Sequence, residues 1–171
     1  MARRLEPVGL DFLETAPVRL VFTHEMRAAP EAVHRALAED ITDWPRWFTA
    51  VTLCRPADGG AGREVGLKGG TRFRERILAS EAPTRYAYRV DETNTPGPRA
   101  LLEEWHLSPS GTGTDTGTGT HVRWTFAADG PAPFRMLLRG GRAGLGRAFR
   151  TAVTSLDRRL AVTAERRDER P

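Results

Sequence analysis

The chain has 171 residues, a formal charge of +4 and 39% hydrophobic against 28% charged residues, the profile of a single soluble globular domain. Lys68 is the only lysine among 26 basic residues, so the basic character is almost wholly arginine. No apolar run reaches 18 residues, and the first residues lack the apolar core of a signal peptide. Cys54 stands alone, which excludes an intrachain disulfide and a thiolate metal cluster. The expected setting is therefore cytoplasmic.

Residues 1–16 read as an N-terminal arm, with Val8, Leu10, Phe12 and Leu13 available to dock on a surface. From Val18 to Met26 apolar and polar residues alternate, the period of a strand. Ala29-Pro30-Glu31 opens a helix, since proline suits the first helical position and an acid the positive end. A second short helix begins at Asp43, an N-cap candidate ahead of Trp44-Pro45-Arg46-Trp47. Further strands are expected at 50–55, 63–68, 71–79, 85–91, 100–107 and 121–127. The Gly/Thr tract at 111–120 reads as a hairpin loop. Apolar residues recur at helical spacing from Phe134 to Leu160, with a kink or break expected among Gly140, Gly141, Gly144 and Gly146. The domain is bounded at 17–163, and residues 164–171 read as a frayed tail.

Hairpin register extends this reading. A turn centred on Glu81-Ala82 pairs Glu75 with Tyr88, Ile77 with Tyr86 and Phe73 with Val90. Turns centred on 95–96 and 114–115 pair Tyr88 with Glu103, Tyr86 with Trp105, Glu103 with Phe126 and Trp105 with Trp124. Two inward rows result: Glu75–Tyr88–Glu103–Phe126 and Ile77–Tyr86–Trp105–Trp124. Two carboxylates on one concave face require partners, or a wet or ligand-bearing cavity. An arginine or Tyr88 satisfying both is the structural alternative. By the same parity Arg72, Arg74, Arg76, Arg85, Arg89 and Arg123 project outward, where Glu64, Asp91 and Glu104 would neutralise part of them.

The order of these elements resembles the helix-grip fold of the START-like (SRPBCC) superfamily, which includes polyketide cyclases/dehydrases and lipid or hormone carriers. The resemblance spans about residues 17–162. It rests on 22–33 (a strand into Ala-Pro-Glu-x-Val), Asp-Trp-Pro-x-Trp-Phe at 43–48, Phe-x-Glu-x-Ile at 73–77, Gly-Gly-Ala-Gly at 59–62 and Thr-His-Val-x-Trp-Thr-Phe at 120–126. It implies an α+β fold: a seven-stranded antiparallel sheet curled around a long C-terminal helix, with two short helices after strand 1. It also implies a cavity between sheet and helix that holds a hydrophobic ligand. No residue-by-residue match to a catalytic set accompanies it.

Three functions are carried forward. The first is binding of a lipid- or polyketide-like molecule by Phe73, Ile77, Tyr86, Tyr88, Trp105, Trp124 and Phe126. The second is cyclase/dehydrase chemistry with Glu75 or Glu103 as acid/base, Tyr88 as oxyanion donor and His24 as a further cavity candidate. The third is a nucleic-acid or chaperone-like module using the arginine face, which lacks aromatic side chains for base stacking. The histidines have no metal-ligand spacing, no cofactor is indicated, and Cys54 reads as packing rather than nucleophile. Pairing with a second copy as a homodimer is left open.

Overall fold

The computed structural model describes residues 2–111 and 119–168, with side chains as far as Ala164. Most of the Gly/Thr tract and the last three residues lie outside the described residues. The elements run β1 (Arg3–Arg4), α1 (Phe12–Thr15), β2 (Val18–Met26), α2 (Pro30–Ala38) and, after a 3-10 turn at Ile41–Asp43, α3 (Trp44–Trp47). Then follow β3 (Val51–Ala57), β4 (Gly62–Leu67), β5 (Arg72–Glu81), β6 (Arg85–Thr93), β7 (Ala100–Ser110), β8 (Gly119–Asp129), α4 (Ala132–Gly140) and α5 (Arg142–Asp168). The sheet order is β2-β8-β7-β6-β5-β4-β3, antiparallel throughout. The two residues of β1 pair with the end of β6, Arg3 opposite Thr93, beyond the stretch of β6 that β7 covers.

Alternation decides which face is which. On β7 and β8, Glu103, Trp105, Trp124 and Phe126 face the helix side, while Leu102 and Ala127 face outward. Leu13 of α1 covers that outward pair, so the arm is a clasp on the convex face, with Val8, Leu10 and Phe12 around it. Arg19 Nε holds it by donating to the Leu13 carbonyl at 2.9 Å.

The two helices after β2 form as expected, with Pro30 in the first turn of α2. Asp43 stands at the N-cap of α3 but makes no side-chain cap bond. It pairs instead with Arg46 at 2.9 Å. The C-terminal stripe breaks at Gly141, as the glycine run requires, and the backbone stays helical to Asp168. Phe149, Ala152, Val153 and Leu156 of α5 are buried against the sheet. Asp157 accepts from the Arg27 and Ala28 amides, both at 3.0 Å, tying α5 to the β2–α2 connection.

Two of the three expected registers hold, those joining β6 to β7 and β7 to β8. The β5–β6 register does not. Glu75 faces Val90 rather than Tyr88, Ile77 faces Tyr88 rather than Tyr86, and Phe73 faces Thr93 rather than Val90. The loop is 82–84 and not 81–82, because Pro83 lacks the N–H a ladder needs and takes the turn centre. That turn alone would have put Glu75 on the other face. A bulge at Leu78, where Ile77 opposes Tyr88 but Ala79 opposes Ala87, restores the inward parity.

Candidate functional site

The corrected register divides the two carboxylates between separate settings. Glu75 lies directly opposite Arg63 of β4, and Glu103 lies opposite Tyr88. Glu75, Arg63 and Tyr88 are at most 3% exposed and Glu103 is 9% exposed.

Arg63 Nε donates to Glu75 Oε2. Its guanidinium carbon lies 3.9 Å from the Tyr88 ring centre and 4.1 Å from that of Trp44, with Tyr86 farther away at 5.5 Å. An arginine can lose its water here because a carboxylate offsets its charge and aromatic faces replace part of its hydration. Burial pushes the Glu75 carboxyl upward against the pull of the Arg63 charge and hydrogen bond. Among the described residues, Arg63 Nη1 is buried without a hydrogen-bond partner.

Glu103 terminates a hydrogen-bond chain. Trp105 Nε1 donates to the Tyr88 hydroxyl at 3.1 Å, and that hydroxyl donates to Glu103 Oε2 at 2.7 Å. Trp124 Nε1 donates to the same carboxylate oxygen at 3.0 Å. Burial, reinforced by the Glu75 charge, pushes the Glu103 carboxyl up to about 7 despite these bonds. Burial also pushes the Tyr88 phenol well up and the Tyr86 phenol to about 12.

A cavity of about 250 Å³ opens beside both groups. The strands contribute Arg63, Val65, Leu67, Phe73, Glu75, Tyr88, Glu103, Trp124 and Phe126, and helix α5 adds Leu145 and Ala148. Trp44 and Phe48, from α3 and just after it, complete the wall with Ala50 and Val51. A larger groove of about 560 Å³ lies between α2 and the end of α5, but Asp40, Asp43, Arg158 and Arg159 line it. Apolar Ala36, Trp47, Leu156, Leu160 and Val162 line it as well, so it is an open groove of mixed character at the surface.

Of the residues the sequence pointed to, Phe73, Glu75, Tyr88, Glu103, Trp124 and Phe126 meet at this cavity. Tyr86 and Trp105 are buried behind it, Trp105 stacked on Trp124 at 5.6 Å and edge-on to Trp44 and Trp47. Ile77 is half-buried against the core. His24 is half-buried at the far edge strand opposite Val122 and is not among the residues that line the cavity. Cys54 is 3% exposed and burial pushes its thiol up to about 11, the state of a packing residue.

Arg63 is the residue that sequence reasoning missed, an exception to the outward parity of the other strand arginines. The signal was present: Arg63, Val65 and Leu67 alternate on one face of β4, and all three line the cavity. On the convex face, Arg76 and Arg89 reach Asp91 at 3.1 and 2.7 Å, Arg85 reaches Glu104 at 2.7 Å, and Arg74 pairs with Asp58. Much of that face is thus internally neutralised. Among the described residues no His/Cys/Asp/Glu group has the makings of a metal site, and no helix is long and apolar enough to cross a membrane.

Residues 17–161 match the family model described as polyketide cyclase/dehydrase and lipid transport. An uncharacterised protein of Mycobacterium tuberculosis is 34% identical over 158 residues, 90% of each chain. Among solved structures, a START superfamily protein from Mycobacterium smegmatis superposes with a TM-score of 0.64 at 12% identity, over 85% of this chain and 98% of that one. A major latex-like protein from Panax ginseng superposes with a TM-score of 0.60 at 12% identity, over 84% and 97%. Likeness at such low identity speaks for the fold.

Proposed function

This chain belongs to the polyketide cyclase/dehydrase and lipid transport family, and we propose that it binds a hydrophobic or aromatic small molecule in the cavity between sheet and α5. The observation that carries this reading is the cavity itself. Apolar and aromatic walls enclose a few convergent polar groups, the general design of a small-molecule site. Trp124 of its wall is backed by Trp105 and Phe149, which stack on it at 5.6 and 5.7 Å. A thermal-shift screen of lipids, polyketides and aromatic compounds tests it, alongside native mass spectrometry for a co-purified ligand. At least one compound should raise the melting temperature, since binding to the folded state stabilises it. A flat screen together with a bare mass would end this reading.

One observation favours a catalytic second reading of cyclase/dehydrase type. Glu103 sits at the cavity with its carboxyl near neutrality, where an acid/base catalyst works best. Glu75 is the weaker candidate, because Arg63 holds it in an ion pair. Full turnover by Glu103→Gln on an identified substrate would dismiss this reading while leaving binding intact.

A further inference from the structure

We propose that α4 docks the protein on the surface of a membrane rich in anionic lipid, with Met136 and Leu137 entering the lipid. The helix carries apolar side chains on two faces. Phe134 and Leu138, one turn apart, pack against the core. Phe134 fits so closely beside Gly97 and Gly130 that a Cβ on either glycine would fall 2.6 or 2.5 Å from its ring. That face is fully used. A second stripe, Pro133, Met136, Leu137 and Gly140, falls at the i, i+3, i+4, i+7 spacing of a helix face, and all four residues are exposed. Met136 is 70% and Leu137 72% exposed. A single exposed apolar residue is ordinary, but two adjacent ones on a helix already anchored by its other face are not.

Charge names the partner. Between Asp129 and Asp157 the chain carries Arg135, Arg139, Arg142, Arg147 and Arg150 and no carboxylate. Among the described residues, Arg135 meets Asp129 at 3.9 Å and the other four pair with no carboxylate. Arg139 Nη2 donates instead to the Pro17 carbonyl at 2.9 Å, which leaves its charge uncancelled. The convex-face arginines differ, since Arg74, Arg76, Arg85 and Arg89 all have acidic partners.

An apolar stripe flanked by unpaired arginines suits the boundary of a bilayer, with the stripe among acyl chains and the guanidiniums on phosphates. A second copy of the chain fits less well, because two-fold pairing through this stripe sets the same arginines against each other. A nucleic acid would use the charge but not Met136 and Leu137, which offer no ring for base stacking.

Co-sedimentation of the native protein with vesicles tests this, using phosphatidylcholine alone and phosphatidylcholine with an equal share of phosphatidylglycerol. The protein should pellet with the mixed vesicles and stay in solution with the neutral ones. Salt at about 1 M, where charges are screened beyond ~3 Å, should weaken the binding. Met136→Ser combined with Leu137→Ser, both at exposed positions, should keep the native melting temperature and bind mixed vesicles about tenfold or more weakly. Arg142→Gln should weaken binding about fivefold, the worth of one arginine near an anionic surface. An environment-sensitive dye on Leu137→Cys, with Cys54 out of reach at 3% exposure, should shift its emission to the blue on mixed vesicles. No binding to mixed vesicles, or equal binding to both kinds, overturns the proposal. Undiminished binding of the double serine variant together with an unshifted dye removes α4 as the docking element. A dimer of the native protein that the double serine variant abolishes, read by sedimentation equilibrium without vesicles, gives the stripe to a second copy instead.

Discussion

Arg63 and Glu75 face each other across β4 and β5 as opposed residues of the ladder, both within 3% of complete burial. Replacing Arg63 by Met strands the Glu75 carboxylate among apolar and aromatic side chains. That should cost about 3–5 kcal/mol, whereas Arg63→Met combined with Glu75→Leu should recover most of it. Urea unfolding of both single variants and the double gives the coupling energy directly. Strictly additive losses would mean that the pair does not act as a unit.

Glu103 makes stability depend on pH in a direction opposite to that of an ordinary salt-bridged acid. Its carboxyl is raised to about 7 when folded, against an ordinary value of 4.5. Between those values the folded state holds a proton that the unfolded chain has released. Stability is therefore greatest below about pH 4.5, declines as pH rises to about 7, and stays reduced above that. The amount is on the order of 3 kcal/mol. In Glu103→Gln the amide oxygen still accepts from Tyr88 and Trp124, but there is no proton to lose. Relative to native protein, this variant should be more stable at pH 8 than at pH 5. A shallow slope in the same direction should persist, because burial raises Glu75 as well. Unfolding midpoints across pH 5–8 read the difference, and parallel curves for the two proteins would refute it.

Two glycines of α5 should respond to alanine with opposite signs. A Cβ at Gly144 meets nothing within 4 Å, so Gly144→Ala should stabilise by about 1 kcal/mol through helix propensity alone. At Gly146 a Cβ falls 2.9 Å from Phe22 Cε1. The Phe22 ring cannot easily yield, since it packs on Trp124 and Phe149 at 5.6 and 6.0 Å. The strain of overpacking, about 1–3 kcal/mol, outweighs the propensity gain, and Gly146→Ala should lower the unfolding midpoint. Thermal melts of the two variants decide it. A stabilised Gly146→Ala would show that α5 lifts off β2 at no cost.

Period-two alternation made most of the sheet legible, because each strand between β5 and β8 has one face on the core. Two registers followed from loop midpoints alone. The third failed at Pro83, whose place in the turn moved the β5–β6 pairing by two to three residues. Bulges at Leu78 and, on the partner strand, at Asp91 cannot be read from alternation, yet the first is why Glu75 still points inward. The aromatic rows, the outward arginines and the break near Gly141 were visible because each is a local pattern. Arg63 was not recognised because its identity argued for the surface while its position argued for the interior. The contributions of Trp44, Phe48, Leu145 and Ala148 depend on how α3 and α5 close over the sheet, which no local pattern carries.

Helix α3 is a single turn, Trp44–Trp47, far below the length at which a helix holds itself together in water. It is held from outside: Trp44 Nε1 donates to the Leu37 carbonyl at 3.1 Å, its ring lies on Arg63, and both tryptophans meet Trp105 edge-on. The roof over the cavity is thus fastened to the sheet by tryptophan edges and by the Arg63 guanidinium between Trp44 and Tyr88. Arg63 therefore belongs to helix and sheet at once, and substituting it removes a contact from both walls of the cavity in one step.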